Sequence, residues 1–109
     1  MVCYAYRVQA GGRSLVYTAD TGPCAAVESL ATGADLLLAE ASFVTGADNR
    51  PDLHLTGRQA GEMADRAKVA RLVVTHVPPW YERSVAVAEA AAAFAGPCSA
   101  AQPEAVLDV

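Results

Sequence analysis

Histidine is scarce in this chain, with only two in 109 residues, so any centre that needs a cluster of imidazoles must look elsewhere for ligands. Cysteine is little help. Cys3, Cys24 and Cys98 are odd in number, show no Cys-x-x-Cys spacing and follow no secretory pattern, which points to a reducing, cytoplasmic setting. Aromatic residues make up 6% against 53% hydrophobic, so the core must be built from Ala, Val and Leu rather than large rings. Eight Lys and Arg against twelve Asp and Glu leave a net charge of −4, which excludes a sequence-wide basic surface for a phosphate backbone. Arg66, Lys68 and Arg71 form a loose basic cluster that reads as a solvated helix end. Long apolar runs are absent too: the longest, residues 85–95, contains Glu89 and is too short for a membrane span. No repeat or linker appears, and the length allows one domain at most.

What is present alternates between strand and helix patterns. Residues 2–8 and 14–18 flank Ala10-Gly11-Gly12-Arg13 and read as an antiparallel hairpin on a Gly-Gly turn. Pro23 suits the first turn of a helix through about Ala31, with Gly33 as its left-handed stop. Residues 36–41 read as a buried strand. Thr56 and Gln59 match a capping box opening a helix to about Lys68, and residues 72–75 are the next strand. An Ala-rich helix over 84–94 ends before Gly96-Pro97, and short strands near 98–101 and 105–107 finish the chain. The fold class is α/β, with a mixed sheet and about three helices.

Polar residues stand at the ends of the apolar runs. Asp20 closes 15–19, Glu40 closes 36–39, His76 closes 72–75, and His54 opens the capped helix. In an open α/β sheet ligands bind at the carboxyl ends of the strands, so Asp20, Glu40 and His76 should meet there, with His54 reaching in from a loop. Asp and His are suitable metal ligands. Each residue also has a blander reading. Asp20 suits an Asx-turn or helix cap, Glu40 an exposed strand end, His76 a structural role and His54 a loop decoration. Asp20-Thr21-Gly22 also matches the aspartic-protease tripeptide, but the Ala-rich helices here do not suit those nearly all-β enzymes.

Taken in order, Tyr17-Thr18-Ala19-Asp20-Thr21-Gly22, Leu37-Leu38-Ala39-Glu40-Ala41-Ser42-Phe43, His54-Leu55-Thr56-Gly57-Arg58-Gln59-Ala60 and Leu72-Val73-Val74-Thr75-His76-Val77-Pro78-Pro79 resemble the C-terminal half of the metallo-β-lactamase superfamily. The branch they look most like holds the tRNA 3′-processing ribonucleases and related cyclic-nucleotide phosphodiesterases. The resemblance implies half of a four-layer αββα sandwich. It implies that Asp20 bridges two divalent ions, Zn²⁺ or Mn²⁺, that His76 completes the second ion's shell, that His54 protonates the leaving group, and that Glu40 supports His54. One departure is Ala19, where the family usually has Gly: a Cβ there is tolerable only if the backbone is not left-handed.

The larger departure is that the family's His-x-His-x-Asp-His motif has no counterpart here. A catalytic zinc takes three protein ligands and a water, and a two-metal centre sets its ions about 4 Å apart; Asp20 and His76 alone do not build that. Met1 also runs straight into strand-like sequence, so residues 1–109 read as a single partial domain, the C-terminal half of the fold. Two functions are expected. In the first, the chain is the C-terminal portion of a phosphodiester hydrolase acting on a cyclic nucleotide or RNA, binding metal weakly or not at all by itself. In the second it is a non-catalytic, oligomerising or partner-binding half-domain with vestigial ligands. In either case the apolar face holding Leu15, Tyr17, Leu36, Leu38, Leu72 and Val74, or their alternates, needs covering by the missing N-terminal half or by a second copy in a homodimer.

Overall fold

The computed structural model describes residues 4–42, 54–78, 82–102, 106, 107 and 109. Five strands form one sheet in the order β1 (Tyr6–Ala10), β2 (Arg13–Tyr17), β3 (Leu36–Glu40), β4 (Leu72–Thr75), β5 (Cys98–Ala100). β1 and β2 are the expected antiparallel hairpin; Gly11 and Gly12 at its turn have φ of 58° and 76°, the left-handed pair that a primed two-residue turn demands. The other pairings are parallel. Successive strands therefore need crossovers, supplied by α1 (Ala25–Ala31), α2 (Gly57–Ala67) and α3 (Arg83–Ala93). Because every crossover advances the same way across the sheet and such connections are right-handed, all three helices lie on one face.

That face is the core. Val16, Leu37 and Leu72 align in register across β2, β3 and β4, and with Ala39 and Val74 they pack against Ala31, Ala60, Met63, Ala64, Ala86 and Ala90 of the helices. Small side chains let helices approach closely. A Cβ built on Gly57 would lie 2.6 Å from the carbonyl oxygen of Ala86, and one on Gly61 would strike that of Ala90, so these glycines are the contact between α2 and α3. The α2 start is the expected capping box: Gln59 N–H donates to Thr56 Oγ1 at 3.0 Å and Thr56 N–H to Gln59 Oε1 at 2.9 Å. Lys68, left-handed at φ 56°, closes the helix. Arg7, which pairs with Val16, points to the helix side and donates to the Leu30 and Thr32 carbonyls at 2.7 and 3.1 Å, placing a cation on the C-terminus of α1.

Several expectations are corrected. Leu72 and Val74 face the helices; the alternate, Val73, lies in register with Leu38 on the opposite face. The period-2 alternation leaves the register of a wholly apolar strand undetermined. β1 runs over 6–10 rather than 2–8, with residues 1–3 outside the described part. Pro23 precedes the Cys24 N-cap rather than entering α1. Val106 and Leu107 are in no strand, and Ala105 lies outside the described residues. Among the described residues no helix is long and apolar enough to cross a membrane.

Candidate metal centre

The carboxyl ends of β2, β3 and β4 stand side by side, and the residues that follow them form one cluster. At its floor is Glu40, the last residue of the central strand and fully buried. A carboxylate without water is costly unless its oxygens are satisfied. Here Oε1 accepts from the backbone N–H of Thr21 at 3.0 Å and of Leu55 at 3.3 Å, and Oε2 accepts from Ser42 N–H at 3.0 Å. His54 Nδ1 lies 2.9 Å from Oε1. Glu40 thus ties together the loop after β2, its own strand end and the entry to α2. The exposed-strand-end reading of Glu40 is overturned; a polar residue after four apolar ones is buried because three backbone amides converge on it.

Asp20 and His76 form a second pair above the first. His76 Nδ1 lies 2.7 Å from Asp20 Oδ1, and both side chains are about half exposed, at 52% and 58% respectively. The two imidazoles meet edge to face, their centroids 6.0 Å apart and planes at 89°. Ligand atoms of Asp20, Glu40 and His54 also fall within 4.8 Å of one another. All four residues expected at this edge are therefore brought together, as two histidine–carboxylate pairs sharing one cleft.

The donor set divides by what each oxygen already does. Glu40 Oε1 accepts from two backbone N–H groups and faces His54, and Oε2 accepts from Ser42 N–H, so a cation there would compete with a carboxylate already engaged on both oxygens. Asp20 and His76 carry the atoms open to solvent, and a carboxylate with an imidazole fits a divalent cation as part of a shell. With Nδ1 of His54 engaged by Glu40, any proton that this ring exchanges passes through Nε2.

Of two left-handed turns beside the cleft, the sequence raised the question only at Ala19. Ala19 has φ 50° and His76 φ 57°, so both residues at the turns beside the cleft are left-handed without being glycine. The condition placed on Ala19 is thus not met: its Cβ is accommodated in the conformation that a glycine would take more cheaply. Thr18, buried, donates from Oγ1 to the Ala19 carbonyl at 2.9 Å and accepts from Glu40 N–H at 3.1 Å; Ser42 Oγ donates to the His76 carbonyl at 3.1 Å. A hydroxyl residue beside each strand end was the available signal.

Comparison with known proteins agrees with this geometry. Residues 1–77 match the model of a beta-lactamase superfamily domain. An uncharacterized protein of Mycobacterium leprae is 48% identical over 89 residues, covering 82% of this chain and 31% of its own length. Ribonuclease Z of Halorubrum lacusprofundi is 41% identical over 91 residues, or 80% of this chain and 29% of that protein. Ribonuclease Z of Methanothermobacter thermautotrophicus is 39% identical over 82 residues, 73% of this chain and 27% of that one. The crystal structure of the metallo-beta-lactamase fold protein YhfI from Bacillus subtilis superposes with a TM-score of 0.85 at 31% identity, over 92% of this chain and 42% of that protein. The chain spans about a third of the length of the curated relatives it matches. The fold implies the use of divalent metal, and the two histidine–carboxylate pairs at one strand edge, the matched domain and these relatives together place the chain in the metallo-β-lactamase superfamily, a hydrolase family, near ribonuclease Z.

Proposed function

We propose that this chain furnishes part of a dinuclear phosphodiester-hydrolysing centre, in which Asp20 and His76 are metal ligands, His54 is the proton donor and Glu40 holds His54. One observation carries the division of roles: Glu40 is buried with its oxygens spent on N–H donors, while Asp20 and His76 face the solvent. Asp20 and His76 would hold divalent ions, Zn²⁺ or Mn²⁺, which would supply Lewis-acid polarisation of a phosphoryl oxygen and activation of the attacking water. His54 contributes separately. Fixed through Nδ1, its ring presents Nε2 to a departing alkoxide, which a protonated imidazole neutralises as the P–O bond breaks. The ribonuclease Z relatives favour a phosphodiester as substrate, RNA or a cyclic nucleotide, and the net charge of −4 favours the smaller.

Asp20 and His76 supply only a fraction of two coordination shells, so the remaining ligands come from polypeptide that covers the open sheet face. The test is turnover of bis(p-nitrophenyl) phosphate by the protein joined to that polypeptide. His54→Ala should leave the metal content unchanged and cut turnover about 10²–10⁴-fold, the usual worth of a positioned general acid. His76→Ala should lose metal and activity together. Equal loss of metal in both variants would overturn these roles.

The second reading is a non-catalytic module that self-associates. Tyr4, Tyr6 and Val8 are 69%, 57% and 58% exposed, with half-buried Leu15, Tyr17 and Leu38 beside them. An apolar surface of this kind favours association with a second copy.

A further inference from the structure

The strands either side of β3 are each followed by a left-handed residue that is not glycine, and both of those residues are tied by a hydroxyl. Ala19, two residues beyond β2, directs the chain into Asp20; His76, immediately beyond β4, carries its own ring into the cleft. An L-residue in this conformation is strained, so it persists only where surrounding contacts over-determine it. Those contacts are specific. Thr18 Oγ1 donates to the carbonyl of Ala19, and Ser42 Oγ donates to the carbonyl of His76. Each of these residues is also bonded to Glu40: Glu40 N–H donates to Thr18 Oγ1, and Ser42 N–H donates to Glu40 Oε2. Thr18 is 1% and Ser42 7% exposed, so both hydroxyls belong to buried residues. The buried central residue thus reaches both turns through one hydroxyl side chain each.

We propose that Thr18 and Ser42 are positioning residues that lock the left-handed backbone at Ala19 and His76, and so aim the Asp20 carboxylate and the His76 ring at one divalent cation. The two hydroxyls act through the backbone and touch neither metal nor substrate. This rests on the reading of Asp20 and His76 as ligands, but the conformational half of it stands apart from metal binding. Asp20 and His76 are solvent-exposed side chains, and exposure alone would let each sample several rotamers. Fixing the carbonyl of the left-handed residue removes the peptide rotation that would swing them apart.

The test uses the whole chain, labelled with ¹⁵N. Long-range ¹H–¹⁵N spectra of the two imidazoles and the amide signals of Asp20 and Val77 report geometry, and a Mn²⁺ titration reports affinity. Ser42→Ala should shift the His76 ring and Val77 amide signals, leave the His54 ring pattern in place, and weaken Mn²⁺ binding roughly 10-fold, the low end of what orienting partners of metal ligands contribute. Thr18→Val should do the same at the Asp20 amide. Thr18→Ser, which restores the hydroxyl, should recover both readouts. Ser42→Cys, which keeps the volume with a weak donor, should fall between Ser42→Ala and the parent, and it serves if Ser42→Ala does not fold. Unchanged His76 and Asp20 signals in variants that fold would overturn the proposal, as would loss of affinity that Thr18→Ser fails to restore. If the parent chain by itself binds no Mn²⁺, as two ligands alone allow, the ring and amide signals decide the proposal: unchanged His76 and Asp20 signals overturn it.

Discussion

Glu40 is the residue on which the cleft depends, because removing its carboxylate strands three converging backbone N–H groups as well as the His54 ring. Glu40→Ala should cost about 2–5 kcal/mol in urea unfolding, given roughly 1–3 kcal/mol for each buried polar group left unpaired and some relaxation. Glu40→Gln should be little better, since an amide nitrogen would face N–H donors. A cost below about 1 kcal/mol for both would show that water reaches the carboxylate and that it is not the hub described. Ala19 works in the opposite direction. Ala19→Gly relieves a left-handed Cβ but adds unfolded-state entropy, so a net gain of about 0.5 kcal/mol is expected.

Between elements, the tightest contact joins α2 and α3. Replacing glycine by alanine inside a helix gains about 0.8–1.0 kcal/mol from propensity alone. At Gly61 the sign should reverse, because the new Cβ strikes the backbone carbonyl of Ala90 and the helices must separate, a kind of overpacking that costs about 1–3 kcal/mol. Thermal unfolding of Gly61→Ala decides it, and a raised midpoint would mean that the two helices have room to spare. The β2–β3 junction makes a pH prediction. Ser14 N–H, 2.8 Å from Asp35 Oδ2, holds the Asp35 carboxyl below its ordinary value, with Arg13 helping and desolvation opposing. A depressed folded-state value means that this stabilisation is present above the unfolded value of about 3.9 and is lost as pH falls through the folded one. Asp35→Asn should therefore flatten the acid limb of the stability profile below about pH 4.

Across the molecule, the helix-free face of the sheet sets how the chain lives. If roughly 400 Å² of apolar surface there met water, at about 25 cal/mol per Å² the burial forgone would be about 10 kcal/mol, comparable to the stability of a whole domain. We expect a symmetric dimer through that face when the chain stands alone, and light scattering at micromolar concentration checks it. A well-folded monomer would contradict it. The same face shows what could be read in advance. Capping at Thr56, the Gly-Gly turn and the polar residues ending apolar runs are local signals, and they located α2, the hairpin and all four cleft residues. Which side of β4 meets the helices was not local: Leu72, Val73 and Val74 are equally apolar, and only the register with β3 separates them. Nor was the burial of Glu40 legible, since it depends on amides from Thr21, Ser42 and Leu55 that are far apart in the chain or held by it only after folding.

Two ligand sets share Asp20 in this cleft: Asp20 with His76, and Asp20 with Glu40 and His54. Titration of Mn²⁺ into the chain, followed by water-proton relaxation, separates them with two substitutions. Weak binding that His76→Ala abolishes and His54→Ala leaves intact is the expected result. Binding that survives His76→Ala and disappears in His54→Ala would contradict the assignment of His76 as ligand and of the His54–Glu40 pair as a proton-donating unit.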